Sequence, residues 1–134
     1  MMRSQAQQSY ETLVQSLRLL AAEYTVQLDA LPDFVHVPDE IASTYSESFL
    51  LAEAIQDAGL INQEQLAQLR ELDDLLACMS EDGTLWTNEA LKHGADWSAV
   101  RTRASDLLAL FSEQQRTPEL SWLTYVPGQD TNSA

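Results

Sequence analysis

The sequence predicts an all-α fold: a compact helical bundle of about four main helices, with shorter helices and a C-terminal apolar strap. Three observations lead there. Apolar residues recur three and four apart through most of the chain, the spacing that lines one face of a helix. No alternating apolar/polar run is long enough to make a strand. The four glycines and four prolines fall mostly near the ends of these periodic stretches.

The first stretch carries Tyr10, Leu13, Val14, Leu17, Leu20, Ala21, Tyr24, Leu28 and Leu31 at helical spacing, with a thinner line of Leu19, Ala22 and Val26 on the other side. A helix apolar on two sides packs between neighbours, so residues 8–30 are expected to form one central helix. Pro32 and Pro38 then bracket a connector, since proline lacks an N–H donor and pushes its predecessor toward extended conformations. From Asp39, helical spacing resumes through Ile41, Tyr45, Phe49, Ala52 and Ile55 until Gly59, a left-handed terminator. The third helix has a variant capping box: Asn62 caps, and Gln65 reaches back. Ile61 and Leu66 form the hydrophobic staple around it. Leu66, Leu69, Leu72, Leu76 and Met79 are its buried stripe, and Ser80-Glu81-Asp82-Gly83 ends it. Thr87 caps a short helix, Asn88 to His93, that stops at Gly94. Asp96 is placed to cap the last long helix, with Trp97, Val100, Ala104, Leu107, Leu108 and Phe111 facing the core. Thr117-Pro118 is expected to restart a turn of helix, and Leu120, Trp122, Leu123, Tyr125 and Val126 form the strap. Residues 1–128 then make one helical domain and 129–134 a loose tail.

Length and composition agree with this. A chain of 134 residues with 45% apolar residues suits one domain with a real core. No apolar run approaches the ~18–20 residues that span a bilayer, and the polar N-terminus does not resemble a signal peptide. One cysteine, Cys78, cannot staple the fold and is expected to be a small core residue. Together these point to a cytoplasmic protein with no membrane partner.

Charge is the informative feature. Between Leu19 and Leu91 stand 15 acidic residues and one basic residue, Arg70, so this stretch accounts for the whole net charge of −14. A field of one sign attracts cationic partners and repels nucleic acid. On the third helix Glu64, Glu71, Asp74 and Glu81 fall opposite the leucine stripe. On the second, Ser43, Glu47, Leu50, Ala54 and Asp57 fall opposite Ile41, Tyr45, Phe49 and Ala52, with Glu53 nearby. Leu50 is an apolar residue in the middle of an acidic face, the pattern of a binding patch. Glu47, Leu50, Glu53, Asp57, Glu64, Glu71 and Asp74 are therefore the expected partner-binding residues.

Catalytic chemistry finds no foothold. His36 and His93 lack the additional ligands of a zinc site and read as surface or capping histidines. Glu81-Asp82-Gly83-Thr84-Leu85-Trp86 does not offer the alternating oxygens of a calcium loop, and no Glu-x-x-His pair suits a di-iron bundle. There is no phosphate loop and no nucleophile elbow. No catalytic, metal or cofactor site is expected.

The stretches Leu85-Trp86-Thr87-Asn88-Glu89-Ala90-Leu91 and Trp97-Ser98-Ala99-Val100-Arg101 are the most distinctive of a chain whose composition resembles the small, acidic, helical immunity proteins that bacteria make against toxins. The resemblance implies an inhibitor, not an enzyme, that blocks a basic toxin, such as a nuclease, by steric and electrostatic occlusion. Its partner would be a basic protein, and the chain itself a monomer or homodimer. Two other readings compete. A chaperone or adaptor for a secreted effector would use an apolar groove more than charge. A nucleic-acid mimic would need acids spaced like phosphates, one charge per ~1.7 Å of duplex axis, a density that four acids on a ~25 Å helix do not reach.

Overall fold

The computed structural model describes residues 4–120. Among them are seven α-helices, one 3-10 turn (Gly83–Leu85) and no strand: α1 (Gln5–Ala21), α2 (Tyr24–Ala30), α3 (Val37–Phe49), α4 (Ala52–Asp57), α5 (Gln63–Met79), α6 (Asn88–His93) and α7 (Ala95–Leu110). The all-α bundle expected from the sequence is what forms, with α1, α3, α5 and α7 as its main helices. Helix α1 is central, packing against α7, α3 and α4. One apolar cluster fills the interior, from Leu13, Leu17 and Leu20 on α1 to Trp97, Val100 and Leu108 on α7. No described helix is long and apolar enough to cross a membrane.

Two expected helices are each broken in two. Residues 8–30 do not form one helix. The chain opens to extended backbone at Ala22 and Glu23 before α2 begins. The reason is Gln27, a polar residue with no exposed surface. Its Nε2 donates to the carbonyl oxygens of Leu19 and Leu20 at 3.0 and 3.3 Å, so it satisfies the orphan acceptors at the end of α1. Residues 39–58 likewise break at Leu50–Leu51. Ser48 donates its hydroxyl to the Thr44 carbonyl at 2.9 Å, a back-bond that competes with the helix ladder and bends it. Helix α4 then turns to bury Ala52 and Ile55.

The expected caps mostly form. Asn62 and Gln65 make both bonds of the capping box, at 2.7 and 2.8 Å, and all five residues of the α5 stripe are buried. Thr87 accepts from the Ala90 N–H at 3.0 Å. Gly59 takes a φ of +82°, and its N–H and that of Leu60 bond back to Gln56 and Ile55, the Schellman stop. Asp96 does not cap α7, because Gly94 closes α6 and opens α7 at once, leaving Asp96 inside the first turn. The two helices meet so tightly there that a side chain on Gly94 would start 2.5 Å from the Ala90 carbonyl oxygen.

The remaining differences lie at the surface and the C-terminal end. Cys78 is exposed, not in the core, because it falls on the outer side of α5 while Leu76 and Met79 are buried. Thr117-Pro118 does not restart a helix. Side chains of α1 satisfy that segment's backbone instead: Arg18 Nε donates to the Gln114 carbonyl at 3.0 Å, and the Glu119 N–H donates to Gln15 Oε1 at 2.7 Å. Leu120 packs against the core. The rest of the expected strap (Trp122, Leu123, Tyr125 and Val126) lies outside the described residues, as does the 129–134 tail.

Candidate functional site: an acid-rimmed groove between α3 and α5

Helices α3 and α5 present matching stripes. On α3, Asp39, Ser43, Ser46 and Leu50 follow helical spacing, with Ala42 and Phe49 beside them. On α5, Asp73, Leu76, Ala77 and Ser80 do the same. The facing side chains are mostly small. Two helices lined by alanine and serine at their closest edges cannot fill the space between them. The result is an open groove of about 860 Å³.

Hydrogen bonds and ring contacts support it. Beneath it, the Tyr45 hydroxyl donates to the Leu69 carbonyl at 2.6 Å and ties α3 to α5. The Phe49 ring stacks on Tyr45 at 6.0 Å. Trp86 lines one end. Its indole N–H donates to the Met79 carbonyl at 2.8 Å, and its own carbonyl accepts from His36 Nε2 at 2.8 Å. A carbonyl oxygen only accepts, so Nε2 carries the proton in that bond. Trp86 also meets Trp97 edge to face at 5.2 Å. At the α4 end Leu50 stands 80% exposed. Where α3 stops, this cap residue has no helix to fold against.

The rim is acidic. Asp39, Glu47 and Asp73 line the groove, and no arginine or lysine does. Five of the six described arginines and lysines are engaged elsewhere. Arg18 pairs with Glu113, Arg70 with Glu53 and Arg103 with Glu71. Arg101 binds the Leu91 carbonyl, and Lys92 sits over the Tyr24 ring. Asp73 feels the groove most. Burial raises its pKa above the ordinary aspartate value, the neighbouring Asp74 charge adds to this, and a hydrogen bond from Ser46 partly opposes it.

That shift carries a prediction. A carboxyl whose pKa rises on folding contributes stability while protonated and loses it as pH climbs through the folded value. At neutral pH the charged Asp73 costs stability. Asp73→Asn is expected to melt above wild type at pH 7, with the gap shrinking toward pH 3, where the aspartate is itself neutral. Thermal melts across that range check this, and a gap that stays constant or reverses refutes it.

The groove takes in two of the seven sequence-derived residues. Glu47 and Leu50 lie in the groove. Asp74 is exposed next to Asp73, and Asp57 is exposed on α4. Glu64, in the first turn of α5, accepts from Gln68 at 3.0 Å. Glu53 and Glu71 are taken by arginines of the same chain, at 3.4 and 2.7 Å. Glu71 and Asp73 point about 160° apart on their helix, one toward α7 and the other into the groove. Asp39, Asp73 and Trp86 were not among the sequence-derived residues. The signal in the sequence for this edge of α5 is the pair of small residues Ala77 and Ser80 at helical spacing from Asp73.

Among the described residues, no group of three or more His, Cys, Asp and Glu is placed to hold a metal ion. His36 lies 3.9 Å from Asp39, and His93 lies 3.5 Å from Glu89 on α6. What the groove offers is a sheltered apolar floor with negative charge at its edges. Comparison with protein-family models, with characterised proteins and with solved structures finds no match to this chain.

Proposed function

We propose that this chain is a non-catalytic binding protein that neutralises a basic protein partner, acting as an immunity protein that blocks a toxin. The observation that supports this reading is the α3/α5 groove, where three carboxylates that no arginine or lysine of the described chain neutralises surround an apolar floor. Such a rim steers a cationic surface into contact at rates that fall with salt. An exposed apolar side chain at its edge supplies an anchor whose burial adds affinity. Occupying a toxin's cationic cleft needs no chemistry from the inhibitor. Relief of self-repulsion among the acids adds to the binding energy.

The test is co-expression with the product of the adjacent gene. The reading expects that product to be basic and toxic alone, harmless with this chain, and held in a 1:1 complex whose dissociation constant rises at least tenfold between 0.05 and 0.5 M NaCl. A complex that ignores both ionic strength and the Glu47→Lys and Asp73→Lys changes overturns it. The apolar floor also suits a chaperone or adaptor for a secreted effector, and that alternative expects binding that survives high salt.

Leu50 gives a second, independent check. Already 80% exposed, it contributes little to folding. Leu50→Asp is expected to leave the melting temperature within a degree or two of wild type. Losing a buried leucine's worth of apolar contact, about 1.5–3 kcal/mol, should weaken the complex by tenfold or more. Calorimetric titration and a thermal melt of the same sample decide it.

A further inference from the structure

We propose that the element the groove receives is a single amphipathic helix of the basic partner, with an apolar stripe on the floor and arginines or lysines along both flanks. The inference rests on the binding-protein reading above and names what that site recognises. Three features point to a helix. Both walls are helices whose backbone groups are bonded within themselves, so an extended peptide would find no ladder of N–H and C=O groups to pair with. A helix brings its own backbone bonds and asks only for side-chain contacts. The stretch of α3 from Asp39 to Leu50 spans about 16 Å, three turns of helix, which matches anchors at i, i+3 or i+4, and i+7. The hollow left by Ala42, Ser43, Ala77 and Ser80 lets a third helix approach closely. The flanking charge is dictated by the rim, where Asp39 and Glu47 on α3 stand across from Asp73 on α5, so a helix with cations on both sides of its apolar stripe meets carboxylates on both walls.

The probe is a 14-residue capped synthetic peptide with leucines at helical spacing flanked by arginines. It is titrated into the full ¹⁵N-labelled chain at low salt. Amide shifts confined to α3, α5 and the Trp86 region are expected. So is binding at least tenfold weaker for a peptide with a central proline, and weaker again when glutamates replace the arginines. Ala77→Trp and Ser43→Arg alter exposed positions in the groove. Both are expected to keep the circular dichroism of wild type and lose at least tenfold in peptide affinity. Shifts that map to another face overturn the inference, as does a proline peptide that binds as well as the parent. Self-association by sedimentation that Ala77→Trp abolishes also overturns it, since the groove would then belong to a second copy. The two proposals fail separately. A toxin complex untouched by Ala77→Trp and Ser43→Arg leaves the inhibitor reading standing and removes the groove from it. A peptide that seats in the groove while the adjacent gene product shows no salt-sensitive binding does the reverse.

Discussion

Trp97→Ala is expected to cost about 3–5 kcal/mol of folding stability, the largest effect of any single change here. Trp97 is 1% exposed in the middle of the core. Its truncation leaves a cavity between α7 and the segment that joins α5 to α6. It also strands the Leu85 carbonyl, which accepts from the indole N–H at 2.6 Å, and removes the edge-to-face contact with Trp86. A small domain holds only about 5–15 kcal/mol in total, so the variant should be close to unfolding at 37 °C. Trp97→Phe keeps most of the volume and should lose less. Urea unfolding followed by circular dichroism measures both. An alanine variant within 1 kcal/mol of wild type would contradict the packing described. Because Trp86 leans on Trp97, the alanine variant should also bind partner more weakly than its residual folded fraction explains.

Glu113→Ala is the second. Arg18 is nearly enclosed, its side chain 5% exposed, while Glu113 is 28% exposed at the edge. The Glu113 carboxylate accepts from Arg18 at 3.2 Å and from the Tyr10 hydroxyl at 2.9 Å. Burial raises the Tyr10 pKa and the nearby carboxylate adds to it, so the hydroxyl stays protonated as a donor. Removing the carboxylate leaves a buried guanidinium without its counter-charge. For a fully buried pair that costs about 3–5 kcal/mol, and the partial exposure of Glu113 brings the expectation to about 2–3. Glu113→Gln retains an acceptor and should lose less. The double change Arg18→Met with Glu113→Leu should be more stable than Glu113→Ala alone, since it removes the orphaned charge. Denaturation midpoints of the four proteins form the test, and a Glu113→Ala midpoint equal to wild type sinks the argument.

Much of the fold was legible because local chemistry and tertiary packing agree along most of the chain. The α5 boundary follows from Asn62, Gln65, Ile61 and Leu66, which act within one turn of each other. The Gly59 stop follows from a left-handed backbone region that glycine enters without the steric cost a side chain would bring. Core residues such as Leu69, Leu107 and Leu108 follow from their spacing. The breaks at Ala22–Glu23 and Leu50–Leu51 were not legible. Each depends on a polar side chain choosing a backbone partner, Gln27 reaching back to α1 and Ser48 bonding within its own turn. Apolar periodicity runs through both breaks unchanged. Cys78 was misplaced for a related reason, since its neighbours are apolar but its own position on α5 faces out.

The acidic surface shows the same division. Sequence by itself determined that this is an all-helical protein, that its charge lies between Leu19 and Leu91, and that its acids and leucines occupy different helix faces. Those properties belong to one residue or one helix at a time. Only the tertiary structure decided which acids remain available. Arg70 reaches Glu53 across 17 positions, and Arg103 reaches Glu71 across 32. Asp73, on the opposite flank of α5 from Glu71, is left facing α3. A count of charges treats these acids alike. The packing of α5 between α3 and α7 neutralises one side and leaves the other open, because short arginine-to-carboxylate reach is set by distance in space and not by position in the chain.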